Sequence, residues 1–155
     1  MPTANLIATF PQPYNGQVSF KISRGIIKVT GSITGLPPNS FLGAHIHENG
    51  DLGNRCLNAG GHYNPFGMSH GGPKGTPRHP GDFGNLQTDE NGVAKVDLTI
   101  CCSRLTNNFM FLGLAMVIHE GTDDLGRGGD AGSLATGNSG GRITCAVVGL
   151  ARSSR

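Results

Sequence analysis

In "GIIKVTGSIT" (25–34) apolar and polar side chains alternate: Ile27, Val29 and Ile33 fall on one parity, Lys28, Thr30 and Thr34 on the other. Side chains two apart on a strand share a face, so the pattern predicts a strand with one side in a core and the other in water. In "VAKVDLTI" (93–100), Ala94, Val96, Leu98 and Ile100 oppose Val93, Lys95, Asp97 and Thr99, and the preceding "DENG" ends in the Asn-Gly pair that favours hairpin turns. "TANLIATF" and "QVSFKIS" flank "PQPYNG" and predict a first hairpin. "FLGLAMVIHE" and "RITCAVVGLA" are apolar on both parities, as expected of strands packed on both sides. Eight strands are predicted, near 3–10, 15–22, 25–35, 41–48, 82–88, 93–100, 110–119 and 142–151. Only "TDDLGRG" (122–128) offers a short helical turn. Two segments, about 49–81 and 120–141, break the strand rhythm, and irregular loops of that length tend to carry function.

Composition supports an all-β reading. The 155 residues suit a single domain, 1–155, and 26 glycines with nine prolines supply turns between short apolar runs. The glycines have no fixed period, which excludes a collagen-like chain. The net charge is only +2, with Lys and Arg scattered along the chain, so nucleic acid is not an expected partner. No apolar run approaches the roughly 18–20 residues of a membrane-spanning helix, so no membrane partner is expected either. The first residues lack the basic start and apolar centre of a signal peptide, which suggests a cytoplasmic protein, or an extracellular one whose leader has been removed.

Four cysteines occur, Cys56, Cys101, Cys102 and Cys145, and none forms a CxxC, which argues against a thiolate zinc site. Cys101 and Cys102 should point to opposite faces of a strand, one buried and one exposed. A bond between Cys56 and Cys145 would close a long loop, but composition does not establish it.

The histidines carry the chemistry. All six, His45, His47, His62, His70, His79 and His119, fall on the fourth strand, in the first long loop, or at the end of the seventh strand. His45 and His47 share one strand face with Ile46 opposite, which offers two ligands to one metal. In the loop, His62-x7-His70-x8-His79-x2-Asp82 supplies three imidazoles and a carboxylate, a tetrahedral set suited to zinc. His45, His47 and His119 add a nitrogen environment suited to copper.

At this point a resemblance is evident. "GAHIHENGD", "NAGGHYNPFGMSHGGP", "RHPGDFGNL", "VIHEGTDDLGRGGD" and "TGNSGGRITCAVVGLA" closely resemble, in order, the motifs of copper/zinc superoxide dismutases. The resemblance runs from about residue 15 to 151. It implies an eight-stranded antiparallel Greek-key β-barrel or sandwich. It implies one copper and one zinc ion per chain, copper on His45, His47, His62 and His119, zinc on His62, His70, His79 and Asp82, with His62 bridging. Asp123 corresponds to a carboxylate that steadies a ligand of each metal. Cys56 and Cys145 correspond to an intrasubunit disulfide, and Arg142 to the arginine that orients the superoxide anion. The implied catalytic residues are His62 and Arg142. The implied reaction is dismutation of superoxide to dioxygen and hydrogen peroxide, with copper alternating between Cu(II) and Cu(I). A homodimer using Gly50, Asp51, Leu112, Gly113 and Leu150, and metal loading by a copper chaperone, are further implications.

The chain departs from the family at "DAGSLA" (130–135), where Asp130 is the only charge, and at Ala44 and Asn49, where aromatic residues are usual. The first departure predicts a salt response unlike that of relatives with charged residues there. A non-catalytic metal carrier or chaperone-type module on the same fold is the alternative class, but it would lack some ligands or Arg142. A cupin-type dioxygenase also uses HxH on a strand, yet needs a glutamate further along than Glu48 and has no use for the loop histidines. No role follows for Cys101, Cys102 or the terminal "ARSSR", which reads as a solvated tail.

Overall fold

The computed structural model describes residues 2–75, 77–101 and 107–152. Eight strands form: β1 (Ala4–Phe10), β2 (Asn15–Ser23), β3 (Ile26–Thr34), β4 (Phe41–His47), β5 (Asp82–Gln87), β6 (Ala94–Cys101), β7 (Ala115–His119) and β8 (Arg142–Leu150). All pairings are antiparallel, in the order β5-β4-β7-β8-β1-β2-β3-β6. β3 is followed in sequence by β4 yet pairs with β6, while β4 pairs with β7, the long-range exchange of a Greek key. A bridge between Thr88 and Ala94 brings the two outer strands together, so the barrel is nearly closed.

The alternation of β3 and β6 is seen as expected: Ile27, Val29, Ile33, Ala94, Val96 and Ile100 enter the core while Lys28, Lys95 and Asp97 face water. Phe20, Phe83 and Phe111 pack at the centre with ring centroids 5.8–6.2 Å apart. Burying each ring contributes on the order of 1.5–3 kcal/mol. β7 is buried on both parities, whereas β8 leaves Val147 and Leu150 exposed. Residues 110–114, expected in the seventh strand, form turns instead; the strand begins only at Ala115, where pairing with β4 and β8 becomes available. Cys101 is exposed at the end of β6, and its neighbour Cys102 lies outside the described residues, as do the last three residues of the tail.

On β4 and β7 the apolar residues Leu42, Ala44, Ile46, Met116 and Ile118 fill the barrel, so His45, His47 and His119 stand on the outer face. They are nevertheless buried, because the loops before β5 and before β8 cover that face. A small outer core of Ala59, Ala115, Val117 and the Cys56–Cys145 disulfide, whose Cα atoms are 6.0 Å apart, pins the first loop to the barrel.

The second loop holds a helix, though not where the sequence pattern placed it. Residues 122–128 are irregular around a single turn at Leu125–Gly126, with the Asp124 side chain accepting from the Gly126 amide and Leu125 in the left-handed region. The helix α1 is Ala131–Thr136: the Asp130 side chain accepts from the Ser133 amide at its start, and Gly137 ends it at φ 77°. This is the capping chemistry of an N-terminal Asp and a C-terminal Gly. The charge-poor "DAGSLA" is thus an ordered helical turn. His70 donates its amide to the Leu134 carbonyl at 2.8 Å, joining the two loops over the outer face. No helix among the described residues is long and apolar enough to cross a membrane.

Candidate metal centre

All six imidazoles converge, with the rings of His45 and His62 4.1 Å apart and those of His47 and His62 4.9 Å apart. Their orientation is set by the nitrogen each commits to an acceptor. His45 Nε2–H donates to Asp123 Oδ2 at 2.6 Å, His47 Nδ1–H to the Gly60 carbonyl at 2.8 Å, and His119 Nδ1–H to the Gly140 carbonyl at 3.0 Å. His70 Nε2–H donates to Asp123 Oδ1 at 2.8 Å and His79 Nε2–H to the Met68 carbonyl at 2.9 Å. Fixing one nitrogen as donor leaves the other as a lone pair, the usual way a protein sets a ligand tautomer.

The free nitrogens form two groups. His45, His47, His62 and His119 offer four buried ligand atoms within 4.8 Å of one another. His47 Nε2 and His119 Nε2 lie 3.2 Å apart, although both are acceptors once their Nδ1 protons are committed. Two lone pairs at that distance call for a cation. Around Asp82 a second group forms: His62 Nδ1 is 3.2 Å from His79 Nδ1, Asp82 Oδ1 is 3.4 Å from each of them, and His70 Nδ1 is 3.0 Å from Asp82 Oδ2. By distance alone the second group is His45, His62, His70 and Asp82. His45 Nδ1 already belongs to the first group, however, while His79 Nδ1 lies against both His62 Nδ1 and Asp82 Oδ1, so His79 is the better fourth donor on chemical grounds. Asp82 Oδ2 accepts from the amides of Gly71 and His79, while Oδ1 is buried and without a hydrogen bond, as are His45 Nδ1, His62 Nε2 and His70 Nδ1. Buried unpaired polar atoms are costly, and these converge where ions would satisfy them. The donor sets fit copper and zinc: nitrogen alone in one group, three nitrogens and a carboxylate oxygen in the other.

Electrostatics agree. Burial pushes His45 down to about 3, opposed by its bond to Asp123; His47 falls to about 2 and His119 to about 4, both through burial partly offset by their carbonyl acceptors. His62 is also lowered, chiefly by burial. These four are therefore neutral at pH 7 and ready to ligate. His70 differs: burial presses it down, but its hydrogen bond to Asp123 and the Asp82 carboxylate facing its Nδ1 prevail and raise it to about 9. Burial would raise Asp82 and Asp123, but the imidazoles packed around Asp82 and the hydrogen bonds from His45 and His70 to Asp123 hold both far below the usual carboxylate range. A metal at His70 Nδ1 must therefore displace a proton.

A pocket of about 110 Å³, lined by His47, His62, His119, Thr136, Ser139 and Arg142, opens on the first group. A water molecule occupies about 30 Å³ of liquid, so only a small species fits. The Arg142 guanidinium lies at its wall, donating from Nη1 to the Cys56 carbonyl at 2.8 Å and from Nη2 to the Gly60 carbonyl at 2.6 Å. Gly60 thus receives both Arg142 and His47, and the disulfide at Cys56 ties that segment to β8. Every residue singled out in the sequence for metal, disulfide or anion lies in this one region. Sequence reasoning missed the carbonyls of Gly60, Met68 and Gly140, and residue identity carries no signal for them.

A family model described as copper/zinc superoxide dismutase (SODC) matches residues 14–148. Extracellular superoxide dismutase (Cu-Zn) of Schistosoma mansoni is 49% identical over 145 residues, 93% of this chain and 79% of that protein. Superoxide dismutase (Cu-Zn) of Yarrowia lipolytica is 48% identical over 138 residues, 88% of this chain and 90% of that one. Among solved structures, one titled as the clock protein EA4 superposes with a TM-score of 0.86 at 37% identity, covering 97% of both chains.

Proposed function

This chain belongs to the copper/zinc superoxide dismutase family, and from that premise we propose how its own residues divide the work. Its activity is the dismutation of superoxide to dioxygen and hydrogen peroxide, and its cofactors are copper and zinc. When bound, copper supplies the one-electron redox change and zinc a fixed positive charge without redox chemistry.

His45 Nδ1, His47 Nε2, His62 Nε2 and His119 Nε2 would hold copper, and His62 Nδ1, His70 Nδ1, His79 Nδ1 and Asp82 Oδ1 would hold zinc. One observation carries this division. His62 alone among the six commits neither nitrogen to a carbonyl or to Asp123: its Nδ1 faces His79 and Asp82, and its Nε2 is buried without a hydrogen bond among His45, His47 and His119. A ring placed so can take up and return a proton at Nε2 while Nδ1 stays held on the zinc side. Arg142, locked by two carbonyls, presents its remaining guanidinium edge to a small anion in a recess where partial exclusion of water strengthens attraction. Asp123 positions His45 and His70 together, so the two metal groups share one anchor.

The test is metal content per chain alongside superoxide consumption, in the wild type and in His62→Ala. One copper and one zinc with fast turnover in the wild type, and loss of turnover in the variant, are expected. Zinc alone without turnover would favour the carrier reading, which the full ligand set and Arg142 do not support.

The chain forms one domain and pairs as a homodimer. Leu112, Val147 and Leu150 are 41%, 42% and 64% exposed, and Gly50 packs so closely that an added Cβ would meet the Gly113 carbonyl oxygen at 2.2 Å. This gathers Gly50, Gly113 and Leu112 near an apolar face that a second copy would cover. Loading by a copper chaperone is the remaining partner in this reading. Of the two compartments, the extracellular one draws support from the relatives so named.

A further inference from the structure

The register of β2 and β3 makes Lys21 and Lys28 directly opposed partners. Both face solvent, since Phe20, Ile22, Ile27 and Val29 occupy the core side. Opposed Cβ atoms in an antiparallel pair are about 4.5–5.5 Å apart, and like charges there repel. The row continues to Asn5 on β1 and Thr99 on β6; the next row carries Ser19 and Thr30, with Asp97 beyond Thr30. Among the described residues no carboxylate forms an ion pair with Lys21, Lys28 or Arg152. Arg152 is brought alongside because the Ala151 amide donates to the Asn5 carbonyl at 2.9 Å. These three cations border a groove of about 860 Å³, remote in sequence and fold from the metal centre, with Thr3, Asn5, Ser19 and Thr30 also in its walls and Leu150 of the proposed dimer face at its edge.

We propose that this groove binds a soluble oligoanion bearing two or more phosphate or sulfate groups. Such a ligand accepts hydrogen bonds from both ammonium groups at once and relieves their mutual repulsion. Arg152 takes a further anionic group in its planar fork, and the hydroxyls and the Asn5 amide supply neutral donors. Among the described residues, three cations against the neighbouring carboxylate of Asp97 favour multiply charged anions over singly charged ones. The groove is also far roomier than the recess at Arg142, so the two sites select opposite sizes of anion. The inference does not rest on the dismutase assignment.

The test is calorimetric titration of the metal-loaded protein with inorganic tripolyphosphate, and separately with a sulfated disaccharide, at about 50 mM and about 200 mM salt. Wild type should saturate with one of the two probes, and the tighter probe identifies the source of the anionic groups. The double variant Lys21→Gln/Lys28→Gln should bind about tenfold more weakly or worse, with a shallower loss of affinity as salt rises. Lys95→Gln, on the neighbouring β6, should bind as wild type, and superoxide consumption should match in all three. Without ligand the double variant should melt at the wild-type temperature or above, since it loses a repulsive pair, so weak binding is not mistaken for misfolding. Equal affinity in the double variant, or no binding of either probe by wild type, overturns the proposal.

Discussion

Gly137 ends α1 at the one place where a methyl group would strike the bond between the two metal groups. An added Cβ would lie 2.0 Å from Asp123 Oδ1 and 2.5 Å from His70 Nε2, and the residue sits at φ 77°. Gly137→Ala therefore carries two costs. The left-handed backbone costs an alanine about 1–2 kcal/mol. The clash must also push Asp123 off His70 or lift the end of α1, and losing a buried hydrogen bond to a charged group costs about 1.5–3 kcal/mol. The sum is about 2.5–5 kcal/mol, and loss of a partner that orients a metal ligand should weaken zinc binding about 10–100-fold. Gly129→Ala separates the two contributions, because Gly129 has φ 82° with nothing within 4 Å of an added Cβ. The assay is zinc competition against a chelator, with urea unfolding of the metal-free proteins alongside. Gly137→Ala should lose zinc affinity while Gly129→Ala keeps it and loses only the backbone contribution. Equal zinc affinity in the two variants would refute the reasoning, whatever their stabilities.

Removing the disulfide by Cys56→Ala/Cys145→Ala opens a cross-link spanning 89 residues, at a cost of about 2–5 kcal/mol, and frees the Cys56–Gly60 segment that holds Arg142 and His47. Both the melting temperature and kcat/KM should fall, and unchanged kcat/KM in a destabilised variant would mean that the loop does not position Arg142. Arg142→Ala should lower kcat/KM about tenfold or more and flatten its dependence on ionic strength, with Arg142→Lys recovering part of the charge effect but not the two-carbonyl hold. Because the 130–135 stretch offers only Asp130 as a charge, the wild-type rate should respond to salt differently from relatives with charges there; matching slopes in stopped-flow measurements would dismiss this. For the metal-free protein, His45, His47 and His119 have folded values of about 3, 2 and 4 against an ordinary 6.5, so the unfolded chain binds more protons below pH 6.5. Stability should then fall with falling pH, by up to about 1.4 kcal/mol per pH unit for each histidine. His70, raised to about 9, contributes in the opposite sense: its share is complete below pH 6.5 and is lost as pH rises through 9. Urea midpoints that stay level from pH 6.5 to 5 would contradict the burial of these rings as neutral groups.

Much of this molecule is legible in local pattern. Alternation in "GIIKVTGSIT" and "VAKVDLTI" became β3 and β6 with the expected residues inside, because side-chain parity is a property of the strand itself. The HxH spacing placed His45 and His47 on one face for the same reason. The helix was misplaced because "TDDLGRG" and "DAGSLATG" carry similar acidic and glycine signals. Which aspartate caps a helix was settled by the contacts of Asp124 with Gly126 and Ser133 and of Asp130 with Ser133.

The sequence by itself determined the strands, the pool of seven candidate metal-binding side chains, and, through its motifs, the family. Tertiary structure alone decided which nitrogen of each imidazole is free, which two histidines Asp123 joins, and that Arg142 hangs from carbonyls 82 and 86 residues away. It also turned lysines that look scattered along the chain into an opposed pair beside Arg152. The reason is physical: periodicity and turn preference act over a few residues and are written in side-chain types. Backbone acceptors are the same at every residue, and only packing selects the one that a distant donor meets.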